Sequence, residues 1–158
     1  MAKEMKIEKS VTINKPLEEV FDYLKITRNQ EKFSVWNMKD PGKKVTSSGT
    51  DGTVGYIYSW DSKDKNVGAG SQEIKQIVDN EKIVYEVRFD RPMKNVAETK
   101  FILRKVSESR TEVTWSFSGP TKFPMSLLAP LFKKMLEKDI LTGLENLKKN
   151  LDQPDPNT

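Results

Sequence analysis

Residues 130–151 read PLFKKMLEKDILTGLENLKKNL. Apolar side chains recur in this segment every three to four residues, while Lys and Glu occupy most of the other positions, which is the pattern of an amphipathic helix. Pro130 suits the first helical turn, where its missing N–H breaks no hydrogen bond. At 1.5 Å per residue the helix would be roughly 30 Å long. Such a helix is long enough to cross a whole β-sheet.

The residues before this helix alternate between apolar and polar, with a period of two, as half-buried strands do. The predicted strands are residues 5–13, 43–48, 53–61, 67–78, 82–90, 95–106 and 111–118. Short turn sequences separate the last six, which predicts consecutive hairpins and hence an antiparallel sheet with one wet face. We expect Gly119-Pro120 to close the sheet region.

Two short helices are predicted between the first and second strands. Asn14 is expected to cap the first one, whose apolar face runs from Leu17 to Leu24. The second is predicted over residues 29–36 and ends before the breaker Asp40-Pro41-Gly42. Sheet, short helices and long helix together predict an α+β domain over residues 1–151, followed by a frayed polar tail at 152–158.

The composition excludes several classes of chemistry. The chain has no histidine and no cysteine, which removes disulfides, thiolate nucleophiles, imidazole bases and Cys/His zinc sites. No acidic cluster has the spacing of a carboxylate metal cage, so we expect no metal and no cofactor. Acid–base chemistry would fall to Asp, Glu, Lys or Tyr.

The charge pattern gives little indication of a macromolecular partner. The net charge is +4, but the lysine pairs 43–44, 133–134 and 148–149 are separate, and no basic stripe interleaves with aromatic residues. We therefore expect no nucleic-acid partner. No apolar stretch approaches the roughly 20 residues of a membrane span, and the N-terminus lacks the apolar middle of a signal peptide, so we expect a cytoplasmic protein without integral membrane association.

A sheet with one wet face must bury the other, and the long helix is the element that can cover it. A strongly twisted sheet bends away from a straight helix, so a gap opens at one end. Bulky side chains can fill this gap, the short helices can close it, or a cavity can remain. Gly143, on or beside the apolar stripe of the helix, leaves room for a strand or a ligand; the alternative is a close packing contact.

These features resemble the SRPBCC superfamily of START-like and polyketide cyclase/dehydrase-like proteins. The resemblance lies in VTINKPLEEVFDYL (11–24), FSVWNMKDPGKKV (33–45), DGTVGYIYSWDSKDKNVGAGSQEIKQI (51–77), TEVTWSFSG (111–119) and LFKKMLEKDILTGLENLKK (131–149). It implies the helix-grip fold, a curved antiparallel sheet of about seven strands wrapped around the C-terminal helix, with a tunnel for a hydrophobic ligand between them. It implies no single reaction.

The candidate ligand-binding residues are those expected to face this tunnel. They are Trp36, Tyr56, Tyr58, Trp60, Gln72, Ile74, Tyr85, Phe89, Phe101, Trp115, Phe117, Leu136, Ile140 and Gly143. Either the parity of Tyr56, Tyr58 and Trp60 or that of Ile57 and Ser59 faces inward; we favour the first, because three exposed aromatic side chains would form a sticky patch. Gln76 is expected to share the inner face with Gln72 and Ile74.

Three functions are compatible with this interpretation. The first is a non-catalytic carrier or sensor of a hydrophobic small molecule such as a lipid, a quinone or an aromatic compound. It is favoured because most charged residues fall on the outer parity of the strands. The second is a cyclase or dehydratase that uses pocket tyrosine and carboxylate groups. The third is a protein-interaction module with a closed core.

Overall fold

The computed structural model describes residues 3–121 and 129–152. The strands are β1 (Lys3–Ile13), β2 (Lys44–Ser48), β3 (Ile57–Asp61), β4 (Ala69–Val78), β5 (Lys82–Arg91), β6 (Asn95–Ser107) and β7 (Arg110–Thr121). The helices are α1 (Leu17–Leu24), a 3-10 helix (Thr27–Lys32), α2 (Val35–Met38) and α3 (Ala129–Asp152).

The seven strands form one antiparallel sheet in the order β1-β7-β6-β5-β4-β3-β2. Strands β2 to β7 follow one another as neighbours, and β1 pairs with β7 along its whole length. The predicted α+β helix-grip fold is confirmed. The sheet therefore has two edges, β1 beside the C-terminal helix and β2 after the short helices.

Helix α3 packs closely at its C-terminal half only. Ile140, Leu144 and Leu147 are fully buried, while Leu131 is 59% and Met135 is 51% exposed. The helix thus contacts the sheet tightly at one end and parts from it at the other, as expected for a straight helix against a twisted sheet.

Several predicted boundaries were wrong. The second short helix is split into a 3-10 turn and a one-turn α-helix (α2). Strand β3 begins at Ile57 rather than residue 53, because a turn-rich loop with three positive-φ glycines precedes it. Gly119 and Pro120 do not end the sheet: they continue β7 and pair with Met5 and Glu4. Pro120 is tolerated there because the pairing of β7 with β6 ends at Ser118, so at Pro120 the strand has a neighbour on one side only.

Asn14 was predicted to cap α1, but Pro16 occupies that position and no side chain caps the helix. Instead, the Asn14 backbone N–H and side-chain amide donate to the two carboxylate oxygens of Asp152, at 2.8 and 3.2 Å. Asp152 also accepts from Lys148 at 2.6 Å. It is thus the last residue of α3 and not part of the tail, whose other residues, 153–158, lie outside the described ones.

The electrostatics of Asp152 follow from these contacts. Partial burial raises its pKa, but the hydrogen bonds from Lys148 and Asn14 outweigh it, so the pKa of Asp152 lies below its ordinary value. The folded state therefore favours the ionised carboxylate. This three-residue contact joins the end of β1 to the end of the long helix.

A β-bulge in β4 changes which residues face inward. The register of β4 against β5 shifts between Ile74 and Gln76. Gln76, expected on the inner face, is exposed as a result, and Ile77 packs against the core in its place.

Candidate functional site

A cavity of about 420 Å³ lies where α3 parts from the sheet. Its wall comes from the inner face of β3 to β7, from α2 and the loop after it, and from Phe132 and Leu136 in the N-terminal half of α3. These two helix side chains are half-buried, whereas the fully buried ones lie further along α3. The cavity is therefore the gap that the twisted sheet leaves beneath the start of the helix.

Aromatic side chains form much of the wall. Those lining the cavity are Trp36, Tyr58, Trp60, Phe89, Trp115, Phe117 and Phe132. They include all three tryptophans of the chain. Trp60 makes an edge-to-face contact with Phe89 and Trp36 makes one with Trp115, with ring centroids 6.2 and 5.8 Å apart.

Tyr58 and Trp60 are the residues of β3 that reach the cavity. Tyr58 is fully buried, whereas Ile57 and Ser59 on the opposite parity are half-buried. The parity of Tyr58 and Trp60 thus faces the helix. Gly70, which pairs with Trp60 across the sheet, leaves space for the indole: a Cβ there would lie 2.8 Å from the ring.

The fourteen candidate residues fall into two groups. Those in the cavity wall are Trp36, Tyr58, Trp60, Gln72, Phe89, Trp115, Phe117 and Leu136. Those in the closed core, outside the wall, are Tyr56, Ile74, Tyr85, Phe101, Ile140 and Gly143. The second group has the same strand parity or helix face as the first. It packs beneath the short helices and the C-terminal half of α3. Periodicity predicts which face of the sheet a residue occupies, but not whether it lies in the closed core or in the cavity wall.

Gly143 leaves room for a side chain rather than for a ligand. A Cβ at this position would lie 2.9 Å from Cζ3 of Trp115 and 3.5 Å from the backbone oxygen of Phe33. The indole of Trp115 occupies that space, and its far side borders the cavity. Gly143 therefore affects the cavity only indirectly, because its missing side chain leaves space for the Trp115 indole.

The polar atoms of Trp36, Tyr58 and Trp60 are hydrogen-bonded within the protein. Trp36 donates to Asp139 at 3.1 Å, and Trp60 donates to the Val67 carbonyl at 3.2 Å. The Tyr58 hydroxyl donates to Glu31 at 2.7 Å. Burial, followed by this hydrogen bond, raises the pKa of Tyr58 well above its ordinary value. Tyr58 is therefore a neutral phenol at physiological pH.

Two buried polar atoms in the wall have no protein partner among the described residues. They are Gln30 Nε2 and Thr99 Oγ1. Neither residue was a candidate in the sequence. Thr99 shares the inner parity of β6 with Ala97 and Phe101, so its burial could have been predicted, whereas Gln30 lies in a 3-10 helix where periodicity gives no signal.

Charged side chains in the wall are all cationic. Lys39 and Lys43 follow α2, and Arg91 and Lys94 flank the turn between β5 and β6. Lys39, Arg91 and Lys94 are exposed and Lys43 is half-buried, so these residues mark the rim of the cavity rather than its interior. No Asp or Glu belongs to the wall among residues 3–121 and 129–152.

No group of three or more acidic side chains in the described part of the chain could hold a metal ion. Within the same residues, no helix combines the length and the apolar character needed to cross a membrane.

Residues 4–152 match the family model for polyketide cyclase / dehydrase and lipid transport proteins. The chain belongs to this family. The match covers every strand and helix described above, and it confirms the SRPBCC resemblance seen in the sequence. A search of curated proteins finds no significant match.

Several solved structures have the same fold as this family member. The Zhui aromatase/cyclase from Streptomyces sp. R1128 is 12% identical, with a TM-score of 0.69 over 95% of this chain and 94% of that one. Protein MLL2253 from Mesorhizobium loti is 17% identical, with a TM-score of 0.68 over 96% and 99%. The Aha1 dimer from Colwellia psychrerythraea is 17% identical, with a TM-score of 0.64 over 94% and 96%. At these identities the likeness extends to the fold alone.

Proposed function

We propose that the protein binds and carries a hydrophobic small molecule in this cavity without transforming it. The observation that supports the proposal most directly is the chemistry of the wall. It consists mainly of aromatic and aliphatic side chains, contains no carboxylate among the described residues, and surrounds about 420 Å³. That volume lies within the range of small-molecule sites. Gln30 and Thr99 offer a ligand oxygen hydrogen bonds that no protein group makes among the described residues.

The second candidate is a cyclase or dehydratase, and the Tyr58–Glu31 pair is the observation that favours it. Two features of the pair argue against catalysis. Tyr58 commits its proton to Glu31 and has a raised pKa, so it neither donates that proton to a carbonyl nor acts as a base near neutral pH. Glu31 does not belong to the cavity wall. The aromatase/cyclase activity named for the Streptomyces protein is therefore not our proposal here.

The third hypothesis, a protein-interaction module, predicted a closed core, and a cavity of this size does not favour it. The cytoplasmic location expected from the sequence stays a prediction.

Native mass spectrometry of freshly purified protein tests the proposed function. We expect an added mass that is lost when the protein is denatured. A matched pair of variants of β5 provides the control. Val87→Phe fills the cavity, since Val87 belongs to its wall, whereas Val84→Phe makes the same change on the outer face of the strand.

Only Val87→Phe should lower the retained mass signal. Ligands added back should quench or shift tryptophan fluorescence, because all three tryptophans line the cavity. A wild-type protein that retains no mass and whose fluorescence responds to no apolar compound would overturn the proposal.

A further inference from the structure

The charged side chains that line the cavity are all cationic, although Asp61, Glu31 and Asp139 contact wall residues from outside the wall. Over the whole chain, 27 Lys and Arg residues nearly balance 23 Asp and Glu residues. The cavity wall instead contains four cations and, within the described residues, no carboxylate. The edge of the apolar cavity thus has three cations without a carboxylate partner among the described residues, Lys39, Lys43 and Lys94, and a fourth, Arg91, that is paired with Asp61.

Two of the four rim cations are held by protein groups. Arg91 contacts the carboxylate of Asp61 and donates to the Ser62 carbonyl at 3.0 Å. Lys43 donates to the Asn37 carbonyl at 2.8 Å. These contacts fix the two side chains beside the opening. Because a carbonyl group is neutral, the charge of Lys43 is not compensated by its contact with Asn37.

Lys39 and Lys94 make no ion pair and no side-chain hydrogen bond with any other described residue. They come from different parts of the fold, one after α2 and the other from the β5–β6 turn. The outer face of the sheet differs: there Lys75 and Arg88 both contact Glu73 and Glu86. Other lysines, such as Lys82 and Lys149, also make no ion pair with a described residue, so what distinguishes Lys39 and Lys94 is their position beside an apolar cavity.

We propose that the ligand is an anionic amphiphile, whose apolar body occupies the cavity and whose carboxylate or phosphate group lies among Lys39, Lys43, Arg91 and Lys94. An anion at the rim interacts with several cations beside a surface of low polarity, where screening is weaker than in bulk water. A neutral or cationic head group gains nothing from this arrangement. The inference rests on the proposed function and specifies the class of ligand.

The test is a fluorescence titration with a series of ligands that differ only in the head group. Dodecanoate, dodecyl phosphate, dodecanol and dodecylamine share one apolar chain, and each is added below its critical micelle concentration or, for dodecanol, below its solubility limit. We expect the two anions to bind about tenfold more tightly than dodecanol, and dodecylamine to bind most weakly. Raising the salt concentration should weaken the binding of the anions and leave that of dodecanol nearly unchanged.

A double variant, Lys39→Gln with Lys94→Gln, should weaken dodecanoate binding by about fivefold, since each exposed cation contributes modestly. Its binding of dodecanol should not change, which separates lost charge from damage to the fold. The control is Lys82→Gln with Lys149→Gln, which removes the same charge from the start of β5 and the C-terminal end of α3. This control should bind dodecanoate as the wild type does.

The outcomes separate the two proposals. If all four compounds bind equally and the rim variant equals its control, the anionic class is wrong and the carrier function stands. Binding of dodecanol or dodecylamine in preference to the anions leads to the same conclusion. If no compound alters the fluorescence and the purified protein retains no mass, the carrier function itself is wrong.

Discussion

Replacing Gly143 with alanine brings two known effects into opposition. Gly143 lies within a long helix, where alanine is more favourable than glycine by up to about 1 kcal/mol. The added Cβ, however, would lie 2.9 Å from Cζ3 of Trp115, which is closer than carbon atoms pack. Overpacking of this kind costs about 1–3 kcal/mol.

The neighbours of Trp115 decide which effect is larger. Its ring packs against Phe101, Phe33 and Trp36, with centroids 5.0, 5.8 and 5.8 Å away. Because the ring is restrained on these sides, we expect the overpacking to outweigh the gain in helix propensity. Gly143→Ala should therefore lower the free energy of unfolding by about 1 kcal/mol.

A double-mutant cycle isolates this contact. The smaller ring of Trp115→Phe does not reach the position of Cζ3, so in that background Gly143→Ala should raise the free energy of unfolding by up to about 1 kcal/mol. The coupling between the two positions should then be about 2 kcal/mol. Urea denaturation of the four proteins, followed by circular dichroism, gives the four free energies. A Gly143→Ala variant that is equally stabilising in both backgrounds would refute the packing described here.

Three further predictions concern the helix, its end and the tyrosines. Ile140→Asp places an unpaired carboxylate at a fully buried position and should lower the free energy of unfolding by more than about 4 kcal/mol in the same urea assay. The control is Leu141→Asp, at a neighbouring side chain that is 39% exposed, which should lower it by less than about 1 kcal/mol. Asp152→Asn should lower stability at neutral pH by about 1 kcal/mol. Because the pKa of Asp152 is lowered by folding, its contribution is present above about pH 4 and lost as the pH falls through its folded value, so wild type and variant should converge in acid. Burial raises the pKa values of Tyr58 and Tyr85, so an ultraviolet titration should show these phenols ionising above about pH 10, the ordinary pKa of tyrosine. The stability that the two neutral phenols contribute should be lost as the pH rises through their folded pKa values. If both tyrosines titrate at the ordinary pKa in the folded protein, their burial is contradicted.

Much of the fold was predictable because the hydrophobic periodicity of each segment indicates its secondary structure. The alternation in β5 and β7 and the period of α3 each repeat over eight or more residues, and every one of these elements is confirmed. The errors lie where local signals compete. Asn14 has the chemistry of a helix cap, but a residue 138 positions away takes its hydrogen bonds. Gln76 follows the alternation of β4 until a bulge reverses the face.

The candidate site was predictable in kind but not in extent. An inward parity for the Tyr58 strand followed from the cost of exposing aromatic side chains, and it matches the observed burial. The strand alternation did not predict whether an inward-facing residue lies in the closed core or in the cavity wall. Phe101, in the core, and Phe117, in the cavity wall, were therefore equally good candidates. Gln30 was missed because its burial depends on a 3-10 turn folding over the sheet.

The long helix shows where the two kinds of information divide. The sequence by itself determined that residues 130–151 form an amphipathic helix and that one sheet face would be buried against it, because hydrophobic periodicity is a local property of the chain. Only the tertiary structure decided where helix and sheet part, that Trp115 occupies the space beside Gly143, and that four cations from two separate parts of the chain lie at one rim. Those features depend on sheet twist and on contacts between residues distant in the chain, and no short window of sequence contains them.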